Sequence, residues 1–283
     1  MKVFEAVVEA VELLEHASVA NSRLDAERLL ASQLGVNRSF LLAHFQDTIA
    51  ADHLENFFSK VRARAEGRPL QHLLGVQEFC GLTFEVTPDV LIPRPETELL
   101  VEEAVRRFTM PELRIVDVGT GSGCIAVSVA VALPGAELWA IDLSPAALAV
   151  AARNAVRHCV SERIRFHCGD LLSPLDSADL HGKIDGIASN PPYVADNDLV
   201  TLQREVRDWE PRIALTGGPS GLSIYTQLIP QAFRFLKPGG SLLLEIGYNM
   251  RDSVVNLFDE RWVLEKVRED FSGVPRVIIA SKK

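Results

Sequence analysis

No stretch of this 283-residue chain runs apolar for the roughly 20 residues that a membrane-spanning helix needs, because charges interrupt every long apolar segment. That excludes a helical span. The four cysteines, Cys80, Cys124, Cys159 and Cys168, form no C-x-x-C pair, and the seven histidines show no ligand spacing. No disulfide and no metal site is therefore expected, and the thiols are expected reduced and buried. Basic residues are also short: 29 Lys+Arg face 38 Asp+Glu, for a net charge of −9. That balance weighs against a bulk electrostatic grip on nucleic acid, since phosphate neutralisation supplies most non-specific affinity. No signal or transit peptide is expected at the N-terminus, because Glu5, Glu9, Glu12 and Glu15 lie there. A cytoplasmic protein is expected.

What is present is a chain 47% hydrophobic and 24% charged, long enough for one larger and one smaller domain. Residues 1–75 read as helices. Val3, Phe4, Val7, Val8, Val11 and Leu14 recur at helical spacing. Ser22 with Asp25 resembles a capping box ahead of Leu24, Leu29, Leu30 and Leu34, and Gly35 supplies a stop. A third helix follows from Ser39, and a fourth carries Leu54, Phe57, Phe58 and Val61. Residues 76–110 read as a connector. In it Phe84 and Val86 alternate with Thr83, Glu85 and Thr87 as a hairpin strand would, and Pro93-Arg94-Pro95-Glu96-Thr97-Glu98 opens a helix.

Residues 111–283 alternate strands and helices. Strands are predicted at Ile115–Val118, Leu138–Asp142, Ile164–His167, Ile184–Ser189 and Ser241–Ile246. Helices are predicted between them, as at Ile125–Ala132 and Ala146–Val156. This alternation argues for a mostly parallel sheet with helices on both faces. Two extended runs without a helix between them, Val263–Val267 and Arg276–Ala280, predict a closing antiparallel hairpin and so seven strands in all.

Two constellations carry chemistry. Asp117-Val118-Gly119-Thr120-Gly121-Ser122-Gly123 lies between the first of these strands and a helix, where glycines let the backbone approach a ligand and the helix start offers free N–H groups. A nicotinamide fingerprint needs its third small residue at position 124, which is Cys124. The earlier glycine, with Asp117 in front, favours an S-adenosylmethionine loop. Asp142 ends the next strand, where a carboxylate can accept from both ribose hydroxyls. Asp170, expected at the end of the third, can meet an adenine amino group.

The second constellation is Asn190-Pro191-Pro192-Tyr193, expected at the C-terminal edge of the fourth strand. The two prolines lack N–H groups, so the loop offers acceptors, and the residue before a proline is held extended. The Asn190 side-chain oxygen and the Pro191 carbonyl can together accept both hydrogens of a planar NH2 group. Tyr193 can pack on that group and favour the positive charge that develops on attack. The function read here is methyl transfer to such a nitrogen by positioning and electrostatics. Against it stand a nicotinamide oxidoreductase and a non-catalytic binding module.

With Leu91–Glu98 and Glu210-Pro211-Arg212-Ile213-Ala214-Leu215, these motifs resemble the peptide chain release factor glutamine methyltransferases (the PrmC/HemK family) over about residues 1–280. The resemblance implies a class I methyltransferase, a Rossmann-like α/β fold with a small N-terminal helical domain that recognises substrate. It implies methylation of the side-chain amide nitrogen of glutamine in the Gly-Gly-Gln motif of bacterial release factors, by a monomer without direct contact to nucleic acid or membrane. Gly119, Thr120, Gly121, Ser122, Gly123, Asp142, Asp170, Leu171 and Asn190 would bind S-adenosylmethionine. Asn190, Pro191, Pro192 and Tyr193 would hold the glutamine, with Asn190, Pro191 and Tyr193 catalytic. Leu171 stands where relatives often carry an aromatic residue, and Ser220 in Gly217–Gly221 replaces an expected acid. Alternatives are a ribosomal-protein glutamine methyltransferase and a nucleic-acid amino-methyltransferase. For the last, the balance of eight basic to ten acidic residues in 1–75 is unfavourable.

Overall fold

The computed structural model describes residues 1–283. Five helices lead: α1 (Val3–His16), α2 (Ser22–Leu34), α3 (Arg38–Ala43), α4 (Ala51–Ala65) and α5 (Leu70–Leu74). A hairpin of β1 (Val76–Phe79) and β2 (Leu82–Glu85) precedes α6 (Pro95–Arg107). Next come β3 (Leu113–Val118), α7 (Cys124–Ala132), β4 (Ala136–Asp142), α8 (Pro145–Arg157), β5 (Ile164–Cys168) and β6 (Ile184–Ser189). The chain ends with α9 (Arg204–Trp209), α10 (Ser223–Phe235), β7 (Leu236–Glu245), α11 (Arg251–Val255), β8 (Trp262–Glu269) and β9 (Pro275–Lys282). No helix is long and apolar enough to cross a membrane.

The chain divides into two units. The first comprises Met1–Val76 together with Gln203–Trp209. Its core gathers Val3, Ala6, Val7, Ala10 and Leu14 of α1 with Leu29, Leu30 and Phe57. The buried stripe of α1 therefore runs through its alanines, while Phe4 and Val8 face outward. The expected capping box does not form. Ser22 bonds back to the Val19 carbonyl, and Asp25 is buried and paired with Arg64 at 2.7 Å. Arg64 also reaches Glu205 at 2.8 Å, and Arg68 lies over the Trp209 ring, which fastens the 203–209 segment to this unit. Satisfying the buried Arg64 with two carboxylates outweighs one terminal cap.

The second unit, Gln77–Leu202 with Glu210–Lys283, is built on a seven-stranded sheet in the order β5-β4-β3-β6-β7-β9-β8. The first five strands in that order pair parallel, and β9 joins β7 and β8 antiparallel. Alternate side chains sort to opposite faces. Leu138 and Ala140 join one apolar layer with α6 and α7, while Trp139 and Ile141 join the other with α10. All four cysteines are free, but only Cys124 is buried. Cys159 and Cys168 are exposed, contrary to expectation, because each sits at an element end facing solvent.

Register then sets the site. Val118 of β3 stands opposite both Ile141 of β4 and Ser189 of β6, and Ser189 stands opposite Leu244 of β7. The residues that follow, Gly119, Asp142, Asn190 and Glu245, consequently emerge on one edge of the sheet. It is the carboxyl edge, where the strand order reverses and open α/β sheets bind ligands.

Candidate active site

The glycine loop is held from below. Asp117 is fully buried, and its Oδ2 accepts from Thr120 Oγ1 at 2.6 Å and from the Ala126 amide at 3.1 Å. It therefore staples the loop to the first turn of α7. Burial pushes this carboxyl up to about 7, against those two hydrogen bonds. At Gly123, φ is +80° and an added Cβ would lie 3.0 Å from Ala151 Cβ, so only glycine lets α7 start this close to α8.

Asp142 ties the loop from the side. Its Oδ2 accepts from the Gly121 amide at 2.8 Å and its Oδ1 from the Ser144 amide at 2.9 Å. Burial raises its pKa, opposed by these backbone amides. The strand β5 ends at Cys168, so Asp170 lies two residues beyond it rather than at its end. The reason is Gly169, whose amide bonds across to the Asp142 carbonyl and turns the chain. Leu171 follows with φ +48°, a left-handed conformation that is costly for a branched side chain.

These residues surround a cleft with about 840 Å³ of empty space, part of it open to solvent. Such a volume suits a nucleoside-sized ligand. Gly119, Gly121, Asp142, Asp170, Leu171, Asn190, Pro191 and Pro192 all line it. Thr120, Ser122, Gly123 and Tyr193 do not: the Thr120 hydroxyl turns to Asp117, and the Ser122 carbonyl accepts from Asn154. Leu143 and Ala147 add apolar walls that the motifs did not reveal, and Ile213 brings the 210–215 segment to the cleft. Leu143 had one signal in the sequence, a leucine directly after a strand-end carboxylate. An aliphatic slot with backbone amides and one partly desolvated carboxylate fits an adenosine: apolar faces for the base, Asp142 for the ribose hydroxyls.

At the other end of the cleft, Ser189 Oγ donates to the Val118 carbonyl at 2.7 Å and locks β6 against β3. Asn190 Nδ2 donates to Thr97 Oγ1 at 3.0 Å. An amide that spends its NH2 on Thr97 directs its oxygen the other way. Tyr193 packs instead against Gly247, where an added Cβ would lie 2.8 Å from its ring. Burial, with the Glu245 carboxylate adding to it, pushes the Tyr193 hydroxyl up to about 12. The tyrosine is thus a floor beneath the loop.

Two further segments brace this loop. Val194 exchanges backbone hydrogen bonds with Leu215 and Gly217, and a Cβ on Gly217 would meet the Pro192 carbonyl oxygen at 2.8 Å. The glycine-rich 217–221 stretch, whose role the sequence left open, is packing for the loop. Glu210 accepts from the Ile92 amide at 3.1 Å and from Arg94 at 2.5 Å, joining the two segments that flank the cleft.

Comparison with known proteins agrees with this geometry. Residues 5–75 match the family described as PrmC N-terminal domain, and residues 95–207 match the methyltransferase small domain. A release factor glutamine methyltransferase from Geobacter sulfurreducens is 42% identical over 94% of this chain and 91% of its own. One from Koribacter versatilis is 40% identical over 100% of this chain and 99% of its own. A methyltransferase structure from Pyrococcus furiosus aligns with a TM-score of 0.52 at 17% identity, covering 82% of this chain and 99% of that one, and shares the fold. With such identity across nearly the full length of its relatives, this chain belongs to the release factor glutamine methyltransferase family.

Proposed function

We propose that this protein transfers a methyl group from S-adenosylmethionine to the side-chain amide nitrogen of the glutamine in the Gly-Gly-Gln motif of bacterial release factors. The observation that carries the proposal is the orientation of Asn190. With Nδ2 engaged by Thr97 at 3.0 Å, its Oδ1 is the atom left to face a substrate NH2. S-adenosylmethionine, when bound, supplies a methyl group on a cationic sulfur.

The chain's own residues do the rest. Asp142 and the backbone of Gly119 and Gly121 hold the cofactor's nucleoside part, with Leu143, Leu171 and Ile213 against its base. Asn190 Oδ1 and the Pro191 carbonyl accept the two N–H groups of the glutamine amide. That amide is a poor nucleophile because its lone pair is delocalised. Two fixed acceptors orient it and stabilise the positive charge that builds on nitrogen as it gains the methyl group, and the surplus N–H proton then passes to solvent water. Tyr193 acts from below by fixing the loop.

Residues 1–75 serve as the substrate-recognition domain, 76–110 as the connector and 111–283 as the catalytic domain, except that 203–209 fold with the first unit. The match of 5–75 to the PrmC N-terminal domain supports the first assignment. Ten acids against eight bases in 1–75 support a protein substrate over a nucleic acid. We place the enzyme in the cytoplasm with that substrate, acting as a monomer.

The test is transfer of labelled methyl from S-adenosylmethionine to a bacterial release factor, with a ribosomal protein and nucleic acid as parallel acceptors. Label should enter the release factor alone and disappear when its motif glutamine is replaced. Asn190→Ala should lose turnover by at least about 10²-fold while binding cofactor nearly as before. Near-normal turnover by that variant would refute the two-acceptor reading.

A further inference from the structure

The strand order divides the carboxyl edge of the sheet. Gly119 after β3, Asp142 at the end of β4, and Gly169 and Leu171 beyond β5 line the cofactor cleft. In the middle, β6 delivers Asn190. On the far side stand β7, β9 and β8, and no residue of 236–283 lines the cleft. Methyl transfer is an in-line displacement: nitrogen bonds the methyl carbon as the carbon–sulfur bond breaks, so the acceptor attacks from the face opposite the sulfur. A glutamine side chain reaches only roughly 5 Å from its own backbone. The polypeptide that carries it must therefore cross the edge close to Asn190, on the side that the cofactor leaves open.

Two turns leave the sheet on that side, and each presents an aromatic ring to solvent. The first follows β7. Gly247 sits against the Tyr193 ring, the Met250 amide donates to the Gly247 carbonyl at 3.2 Å, and Asn249 takes a left-handed φ of +60°. Tyr248 at its tip is 69% exposed. The second turn joins β8 to β9. Asp270 Oδ1 accepts from the Ser272 and Val274 amides at 2.8 and 3.0 Å, and its Oδ2 accepts from Arg276 Nε at 2.8 Å. Phe271 at the tip of this turn is fully exposed. The Ile246 amide donates to the Arg276 carbonyl at 2.8 Å, so Arg276 ties the second turn to the strand that leads into the first.

An aromatic ring left in water gains nothing from burial on folding. The backbone beneath both rings is nonetheless fixed by hydrogen bonds, so the rings are held in place before any partner arrives. Protein contacts use rigid aromatics as anchors, because little side-chain freedom is lost when they are covered. We infer that Tyr248 and Phe271 form an apolar docking rim for the release factor, gripping the polypeptide that flanks its motif glutamine. This inference rests on the proposed transfer to that glutamine. Two observations make the occupant a protein. The rim is continuous, through Gly247 and Tyr193, with the loop that receives the glutamine. Its arginines, Arg251 and Arg276, each face a carboxylate, Asp252 at 3.9 Å and Asp270 at 2.8 Å, so the rim offers a phosphate backbone no excess of positive charge.

The experiment measures kcat and KM for release-factor methylation in the native enzyme and in Tyr248→Ser, Phe271→Ser, Tyr248→Phe and Phe271→Tyr. Each serine should raise KM for the release factor by roughly 5- to 30-fold, while kcat and the KM for S-adenosylmethionine stay within about threefold of native. The two conservative variants should stay within about threefold of native throughout. Hydrogen exchange on the native enzyme needs no variant: the 247–250 and 270–274 turns should gain protection when release factor is added. Should a serine variant lose its fold by circular dichroism, that protection decides instead. A native KM in both serine variants would overturn this inference, as would turns that gain no protection. A native dimer that either serine variant dissolves would assign the rim to a second copy of the chain and overturn it as well. So would RNA that displaces the release factor from the native enzyme but not from Phe271→Ser. Failure of the native enzyme to label any release factor would instead overturn the reading beneath it.

Discussion

Replacing Asp142 tests the cofactor half of the site. Its two carboxylate oxygens are each committed to a backbone amide, Gly121 at 2.8 Å and Ser144 at 2.9 Å, and the same group faces the cleft. A hydrogen bond to a charged acceptor contributes about 1.5–3 kcal/mol. Asp142→Asn turns one oxygen into an NH2 that confronts a donor, so one loop anchor is lost along with the charge facing the ribose. At about 1.4 kcal/mol per decade, the loss of one such bond weakens cofactor binding by roughly 10- to 150-fold. Asp142→Ala removes two, and Kd should rise by roughly 10²- to 10⁴-fold. Calorimetric titration with S-adenosylmethionine reads this directly. Because burial raises the Asp142 pKa, the charge is lost earlier on acidification than for an exposed aspartate. Native affinity should therefore weaken toward acid pH, while Asp142→Asn should show a flatter profile. An Asp142→Ala variant that bound within threefold of native would refute the assignment of this carboxylate to the ribose.

Gly123→Ala should weaken cofactor binding and lower Tm together. The left-handed backbone at φ +80° costs an alanine about 1–2 kcal/mol, and its Cβ would press on Ala151 Cβ at 3.0 Å. Differential scanning fluorimetry with and without S-adenosylmethionine separates the two effects. In the helical unit, Arg64→Met leaves the buried Asp25 carboxylate unpaired and should destabilise by about 3–5 kcal/mol, visible in urea melts. Adding Asp25→Leu should recover most of that loss, because the unpaired charge rather than the missing ion pair is the larger cost.

The elements were largely legible because their signals are local. The short apolar run 138–141 closed by Asp142 and the longer apolar run at 125–132 each state their structure within a few residues. The errors share a different cause. Phe4 and Val8 fit a helical apolar stripe, yet the core took Ala6 and Ala10, since which face is buried depends on α2 and α4. Ser22 and Asp25 fit a cap, but a partner 39 positions away claimed Asp25. Tyr193 was legible as part of a motif, while its packing beneath the loop required Gly247, 54 positions later.

The sequence alone determined the alternation of strands and helices, the glycine loop with Asp117 ahead of it, and the acceptor-rich Asn190–Tyr193 cluster. Each is written in consecutive residues whose backbone limits and donor inventory follow from their covalent structure. The tertiary structure alone decided that Val118, Ile141, Ser189 and Leu244 share one level of the sheet, which brings Gly119, Asp142, Asn190 and Glu245 to one edge. It also decided that Thr97 would take the NH2 of Asn190 and leave the oxygen for the cleft. Strand register and a hydrogen bond between side chains 93 positions apart are properties of groups that meet only when the chain is folded.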